Sequence, residues 1–207
     1  IFFKYDRKLL GKLAKAAWET IRDVFIEETG IKDALPAMIA GIQTFGDLIN
    51  AHPHIHALCP DGIFLDSGTF VKVDTLPMDK VLEIWENKVF EFLLLEKKIS
   101  LDVVDAIRSW EHSGFSVNND VQIKADDKKG MQSIIEYIAR CPLSLARIIK
   151  LTNDGKVIYR ATKTSCLPFP ELGNENLKAG VNRNFEVFEP LDFLAQVAQH
   201  IPKQQKT

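Results

Sequence analysis

Cysteine is scarce in this chain: Cys59, Cys141 and Cys166 are its three, an odd number at wide spacings with no CxxC pair. That excludes a disulfide framework and a structural zinc array of the Cys/His kind, and it fits a reduced, cytoplasmic setting. Long apolar runs are missing as well. The opening IFFKYDRKLL carries Lys4, Asp6, Arg7 and Lys8 almost at once, so it is neither a signal peptide nor a membrane span. There is no internal repeat, no low-complexity tract and no initiator methionine, and the first residues stand in mid-pattern, so a longer parent protein is expected. Charge of one sign is absent too: 26 basic residues face 28 acidic ones, a formal net charge of −2, which argues against a chain that grips nucleic acid over its whole surface.

What is present suffices for one substantial core: 207 residues, 46% of them hydrophobic. Apolar positions at helical spacing from about Asp6 to Thr29 (Leu9, Leu13, Ala16, Ala17, Thr20, Val24) predict a first helix, with Gly30 as its stop. The run ALPAMIAGIQTF from Ala34 and the run HIHALC from His54 read as a pair of strands. IFLD from Ile63, past the turn Pro60-Asp61-Gly62, reads as a third. Asp79 to Lys98 and Leu101 to Trp110, the latter with Ser100 as N-cap, predict a helical hairpin packed on the sheet. Trp18, Trp85 and Trp110 fall in apolar stripes and read as core.

GFSV from Gly114 and VQIKA from Val121 flank Asn118-Asn119-Asp120 and read as a short hairpin. Lys129 to Arg140 is helical again. Pro142 disfavours helical geometry at Cys141, which leaves Tyr137 in the last turn. Strands around Asn153-Asp154-Gly155 give the clearest hairpin signal in the chain. A loop or linker over 167–181, a final helix PLDFLAQVAQHI and a frayed KQQKT complete the pattern. The expected organisation is an N-terminal helix over 1–33, a catalytic domain over 34–164, and a linker with C-terminal helix over 165–207. The fold class is α+β, an antiparallel sheet with the histidines on a central strand and helices on one face.

The strongest local signal is HPHIH at His52 to His56, three of the five histidines in the chain. Residues two apart on a strand share a face, so His54 and His56 present their imidazoles side by side, about 6 to 7 Å apart at the backbone. Two such nitrogens can share a divalent ion. The plainer alternative is a pair of histidines facing solvent or hydrogen-bonded in a core. A second signal is local charge: Arg140, Arg147, Lys150, Lys156, Arg160 and Lys163 stand against one acid, Asp154, a basic island that is either a nucleic-acid contact or a solvated hairpin.

HPHIHALCPDGIF, preceded by GIQTFGDLIN and followed downstream by SWEHSGFSV and EYIARCPLSLARI, resembles the catalytic core of the two-tyrosine, rolling-circle family of bacterial insertion-sequence transposases, which are HUH endonucleases. The four matches run in the family's order over roughly Ala34 to Gln199. The resemblance implies a ferredoxin-like topology and a transposase that nicks and rejoins single-stranded DNA, acting on element-end hairpins in the bacterial cytoplasm with the nucleoid. It implies that His54 and His56 bind Mg²⁺ or Mn²⁺. Gln43, whose strand is expected to lie beside the histidine strand, is the choice for a further, oxygen ligand, and Asp47 and His112 are other possible ligands. It also implies that Tyr137 is the nucleophile, leaving a 5′-phosphotyrosyl link and a free 3′-hydroxyl.

The family's second tyrosine would stand four residues further on, where this chain has Cys141, so the resemblance is closer to single-tyrosine relatives. Cys141 itself reads as a small buried residue. Arg140 could clamp the scissile phosphate, His52 could support the histidine pair or touch DNA, and Arg147, Lys150, Arg160 and Lys163 could track the strand. Phe45, Phe115 and Tyr159 are candidates for base stacking. Two other classes compete. One is a degenerate remnant that binds DNA hairpins without cutting them. The other is a metalloenzyme with an HxH strand on a cupin-like or hydrolase fold, but the sequence lacks the carboxylate and later His such sites need, and its helix-rich pattern does not suit a jelly roll.

Overall fold

A computed structural model describes residues 2–33, 35–162, 167–168 and 182–201. In chain order its elements are helices α1 (Phe2–Tyr5) and α2 (Lys8–Thr29), strands β1 (Ile39–Phe45), β2 (Ala51–Leu58), β3 (Gly62–Phe64) and β4 (Phe70–Lys72), and helices α3 (Met78–Leu95), α4 (Leu101–Arg108) and α5 (Lys128–Ile138). A 3₁₀ turn (Leu145–Arg147) leads to β5 (Ile148–Leu151), β6 (Val157–Arg160), β7 (Leu167–Pro168), β8 (Asn182–Arg183) and β9 (Phe185–Phe188), and helix α6 (Pro190–Ala198) follows. The fold is α+β. Two compact units divide the chain, Ile1–Ile42 with Ile55–Ile138 and Gln43–His54 with Ala139–Thr207, so the chain passes from one unit to the other within β1 and again within β2. The linker and the frayed tail expected at 167–181 and 203–207 lie almost wholly outside the described residues.

In the first unit, α2 buries Leu9, Leu13, Ala16, Thr20 and Val24 of the stripe its spacing predicts, together with Leu10 and Phe25, while Ala17 is only partly buried. It stops at Gly30, whose left-handed φ of 71° lets its N–H close on the Ile26 carbonyl at 2.8 Å. Leu9 and Leu13 build one core cluster with Val89 and Leu93 of α3, and Ile55 of β2 packs on it. Lys88 pairs with Asp23 at 2.6 Å between the same two helices. A second cluster joins Phe25 to Ile63 of β3.

In the second unit β5, β6 and β9 form an antiparallel sheet in the order β5-β6-β9, and α6 covers one face. Val157 and Tyr159 meet Phe193 and Ile49 there, and Gly155 supplies the left-handed turn (φ 87°) that the Asn-Asp-Gly signal predicts.

Several local expectations are corrected. The Ile63 strand does not extend the histidine sheet. It folds back onto β4 through the Asp66-Ser67-Gly68 turn, so β2 is not central: among the described residues it pairs with β1 alone. That pair is a hairpin closed by the Gly46 N–H on the Asn50 carbonyl at 2.8 Å.

No strand forms over residues 114–125. Phe115 turns into the core against Phe90, ring centres 5.2 Å apart, while Asn118 receives the Asp120 N–H at 3.1 Å. A side-chain turn thus replaces the ladder, and Val121 stays 64% exposed with no face to bury. Ser100 stands before α4 but its hydroxyl does not cap the helix. Trp110 lies past the end of α4 and is exposed rather than core.

Phe193 (8% exposed) and Leu191 (79%) sit two residues apart on α6. Phe193→Ala should cost about 3 to 5 kcal/mol in urea unfolding, while Leu191→Ala should stay within about 0.5 kcal/mol. Equal costs would contradict the packing described.

Candidate active site

With Ile55 anchored on the helical cluster, strand alternation sends its two neighbours, His54 and His56, off the other face of β2. The bulky residue between the histidines therefore sets their direction. His54 is half-buried and its Nδ1 lies 2.7 Å from the His52 carbonyl. A carbonyl only accepts, so Nδ1 carries the proton and donates, which leaves the lone pair on Nε2. Burial holds this imidazole below the ordinary histidine range. The bond to the His52 carbonyl opposes that shift, and charge on His52 and Arg140 adds to it. A neutral imidazole with its proton fixed on Nδ1 has the form a metal requires. His52 is exposed, its ring 5.0 Å from that of His54.

Tyr137 closes the last turn of α5, as the Pro142 argument predicts. Its ring meets the His56 imidazole edge to face, centres 5.0 Å apart at 78°, and it is 43% exposed. A helix with no fully buried residue thus holds its one tyrosine against a histidine of the motif.

The second unit gathers Gln43, His54 and Arg140. Gln43 is buried, and its Oε1 accepts a long hydrogen bond of 3.4 Å from Arg140 Nε. The Arg140 guanidinium lies over the Phe45 ring at 5.6 Å. Among the described residues no three His, Cys, Asp or Glu side chains converge as a metal site. Within this unit the His54 imidazole, with its proton fixed on Nδ1, and the buried Gln43 amide oxygen are donors of a kind that suits a divalent cation.

Other candidates fall elsewhere. Arg147 donates to the Asp47 carboxylate at 2.8 Å, to the Asp47 carbonyl and to the Arg160 carbonyl at 2.7 Å, and it lies over the Tyr159 ring. These contacts tie the guanidinium to the β1–β2 loop and to the end of β6. Asp47 also receives the Thr162 N–H at 2.7 Å and the Thr162 hydroxyl, so its carboxylate braces the β1–β2 loop.

Lys150 is paired across the ladder with Ile158, and Arg160 follows Ile158 by two, so both cations share the outer sheet face and are exposed. Lys163 lies outside the described residues. None of the aromatic stacking candidates is an open platform: Tyr159 is fully buried with its hydroxyl accepting the Ser144 N–H, Phe45 is buried beneath Arg140, and Phe115 is packed on Phe90. His112 is exposed.

Sequence reasoning missed His200. This buried histidine donates from Nε2 to the Ile49 carbonyl (2.7 Å) and accepts at Nδ1 from Thr44 (2.9 Å). Contacts spanning that much chain leave no local spacing to read.

Cys141 is exposed, not buried as expected, because it lies beyond the end of α5; Cys59 is partly buried, and burial pushes its thiol up to about 11. At pH 8 roughly one Cys59 in a thousand is thiolate. Iodoacetamide should therefore label Cys141 well before Cys59 by peptide mass mapping, and Cys59 labelling should rise with pH up to about 11. Equal labelling at pH 8 would contradict the burial of Cys59.

No helix among the described residues is long and apolar enough to cross a membrane. No curated protein and no solved structure matches the chain. The family model Y2_Tnp, described as "Putative transposase", matches residues 37–207, which take in β1, the histidine strand, Tyr137 and the second unit's sheet. A match over that much of the chain, with the motif residues inside it, makes this chain a member of the Y2_Tnp transposase family.

Proposed function

We propose that this chain nicks and rejoins single-stranded DNA in rolling-circle transposition, as a single-tyrosine HUH endonuclease with Tyr137 as nucleophile. The observation that carries the reading is the edge-to-face contact of Tyr137 with His56. It stands a nucleophile beside one of the two imidazoles that the motif assigns to a metal. The half-exposed tyrosine suits attack on a strand arriving from solvent.

In the reaction, Tyr137 Oη forms a bond to the scissile phosphorus and the P–O3′ bond breaks. The DNA 5′ end is left on the tyrosine, and the departing 3′ oxygen takes up a proton as a hydroxyl. The reverse attack by a 3′-hydroxyl rejoins a strand without an external energy source. A phenol is mostly protonated at neutral pH, so its proton must leave as the bond forms. His54, His56 and the Gln43 amide oxygen would hold Mg²⁺ or Mn²⁺, which when bound supplies Lewis-acid neutralisation of charge growing on the phosphate. Arg140, on its Phe45 shelf, offers a forked donor for a phosphate oxygen. Lys150 and Arg160 offer a cationic track on the outer sheet face, His52 a further contact beside the histidine pair, and Lys163 another cation. Element-end hairpins in the bacterial cytoplasm are the substrates this reading requires.

Incubation with single-stranded DNA bearing the element's end, with Mn²⁺, should give a covalent adduct on a denaturing gel. Tyr137→Phe should abolish it, and so should His54→Ala and His56→Ala. Absence of any adduct from a folded protein that binds the DNA would contradict this reading and favour a remnant that binds without cutting.

A further inference from the structure

Gly41 lies within β1, where glycine weakens a strand and marks a place another chain segment approaches closely. Here that segment is the end of the Tyr137 helix. A Cβ on residue 41 would stand 2.2 Å from Ile138 Cγ2 and 3.6 Å from Ile138 Cβ, where an ordinary carbon contact needs about 3.5 to 4.0 Å. Gly41 takes no left-handed φ, so its missing side chain serves the approach and not the backbone. Ile138 is β-branched and stiff at χ1, so its methyl cannot swing aside cheaply. Any side chain at 41 must push the end of α5 off the strand by about 1 to 2 Å. Tyr137 precedes Ile138 and would be carried with it.

We propose that Gly41 is a positioning residue for Tyr137: the bare strand lets Ile138 seat on β1 and so fixes the distance of the Tyr137 ring from His56. For catalysis this rests on the reading of Tyr137 as nucleophile; for geometry it stands without it. A displacement of about 1 Å in a reacting group can cost up to about a hundredfold in rate, so the effect should appear in the chemistry rather than in DNA binding.

The test compares Gly41→Ala, Ile138→Ala and the double variant with wild type in the full chain, with circular dichroism as the check on folding. One readout is the imidazole carbon resonances of His56 with labelled histidine, which sense the ring current of Tyr137; Tyr137→Leu supplies the reference without that ring. The other is the rate of adduct formation with single-stranded DNA and Mn²⁺, alongside DNA affinity by anisotropy.

Gly41→Ala should move the His56 resonances toward the Tyr137→Leu reference and slow the adduct at least about tenfold at unchanged DNA affinity. The double variant should return both readouts to those of Ile138→Ala. Wild-type resonances in Gly41→Ala, or a double variant that stays displaced, would overturn the proposal. Should Gly41→Ala fail to fold, the double variant against Ile138→Ala decides: matching readouts support the proposal and differing ones overturn it. If wild type forms no adduct while the resonances move and return as described, the nuclease reading fails and the positioning role stands.

Discussion

Ile55 on the α2–α3 cluster is the contact from which the candidate chemistry takes its direction. A strand has two faces, and a one-residue slip exchanges them. Burying Ile55 against Leu9, Leu13, Val89 and Leu93 removes that freedom, because the reverse orientation would press two imidazoles into an apolar cluster without partners. The hydrophobic residue between the histidines is therefore as much a part of the motif as the histidines are. On the face so chosen, His54 sets its own tautomer through the His52 carbonyl, and His56 meets Tyr137.

The entry to β2 is fixed by different means. The loop between β1 and β2 carries Ile49 at φ 64°, a conformation that a β-branched residue adopts only under constraint, at a cost of about 1 to 3 kcal/mol. The constraint is visible. Ile49 is fully buried among Val157, Tyr159 and Phe193, and its carbonyl accepts from His200 at 2.7 Å and from Gln199 at 3.2 Å. Two residues earlier Asp47 is bound by Arg147 and Thr162. The basic island, open in the sequence between a nucleic-acid contact and a solvated hairpin, holds side chains in two kinds of surroundings. Arg147 holds the loop that starts the histidine strand, while Lys150 and Arg160 face outward.

Signals carried by local spacing and turn residues were legible. The α2 stripe and its Gly30 stop, α3, α5 with Tyr137 in its last turn, and the Asn153-Asp154-Gly155 hairpin all follow from local spacing. The misses came where long-range contacts outvoted local ones: Phe115 drawn to Phe90, Ile63 turned back on β4, Tyr159 and Phe45 buried rather than offered to bases. The histidine motif and Tyr137 could be named as residue types at a spacing. Gly41 and His200 could not be singled out, because a missing side chain facing Ile138 and a ring bonded to Thr44 and Ile49 are facts about distant stretches of chain.

The central proposal is that His54 and His56 of HPHIH share one divalent cation. Pulsed electron paramagnetic resonance of Mn²⁺ bound to the full chain tests it through the coupling of the electron spin to directly bound nitrogen. The account predicts nitrogen coupling from both His54 and His56, reduced to one imidazole in either single His→Ala variant and unchanged in His112→Ala. A bound Mn²⁺ without nitrogen coupling, or coupling indifferent to both substitutions, would contradict it.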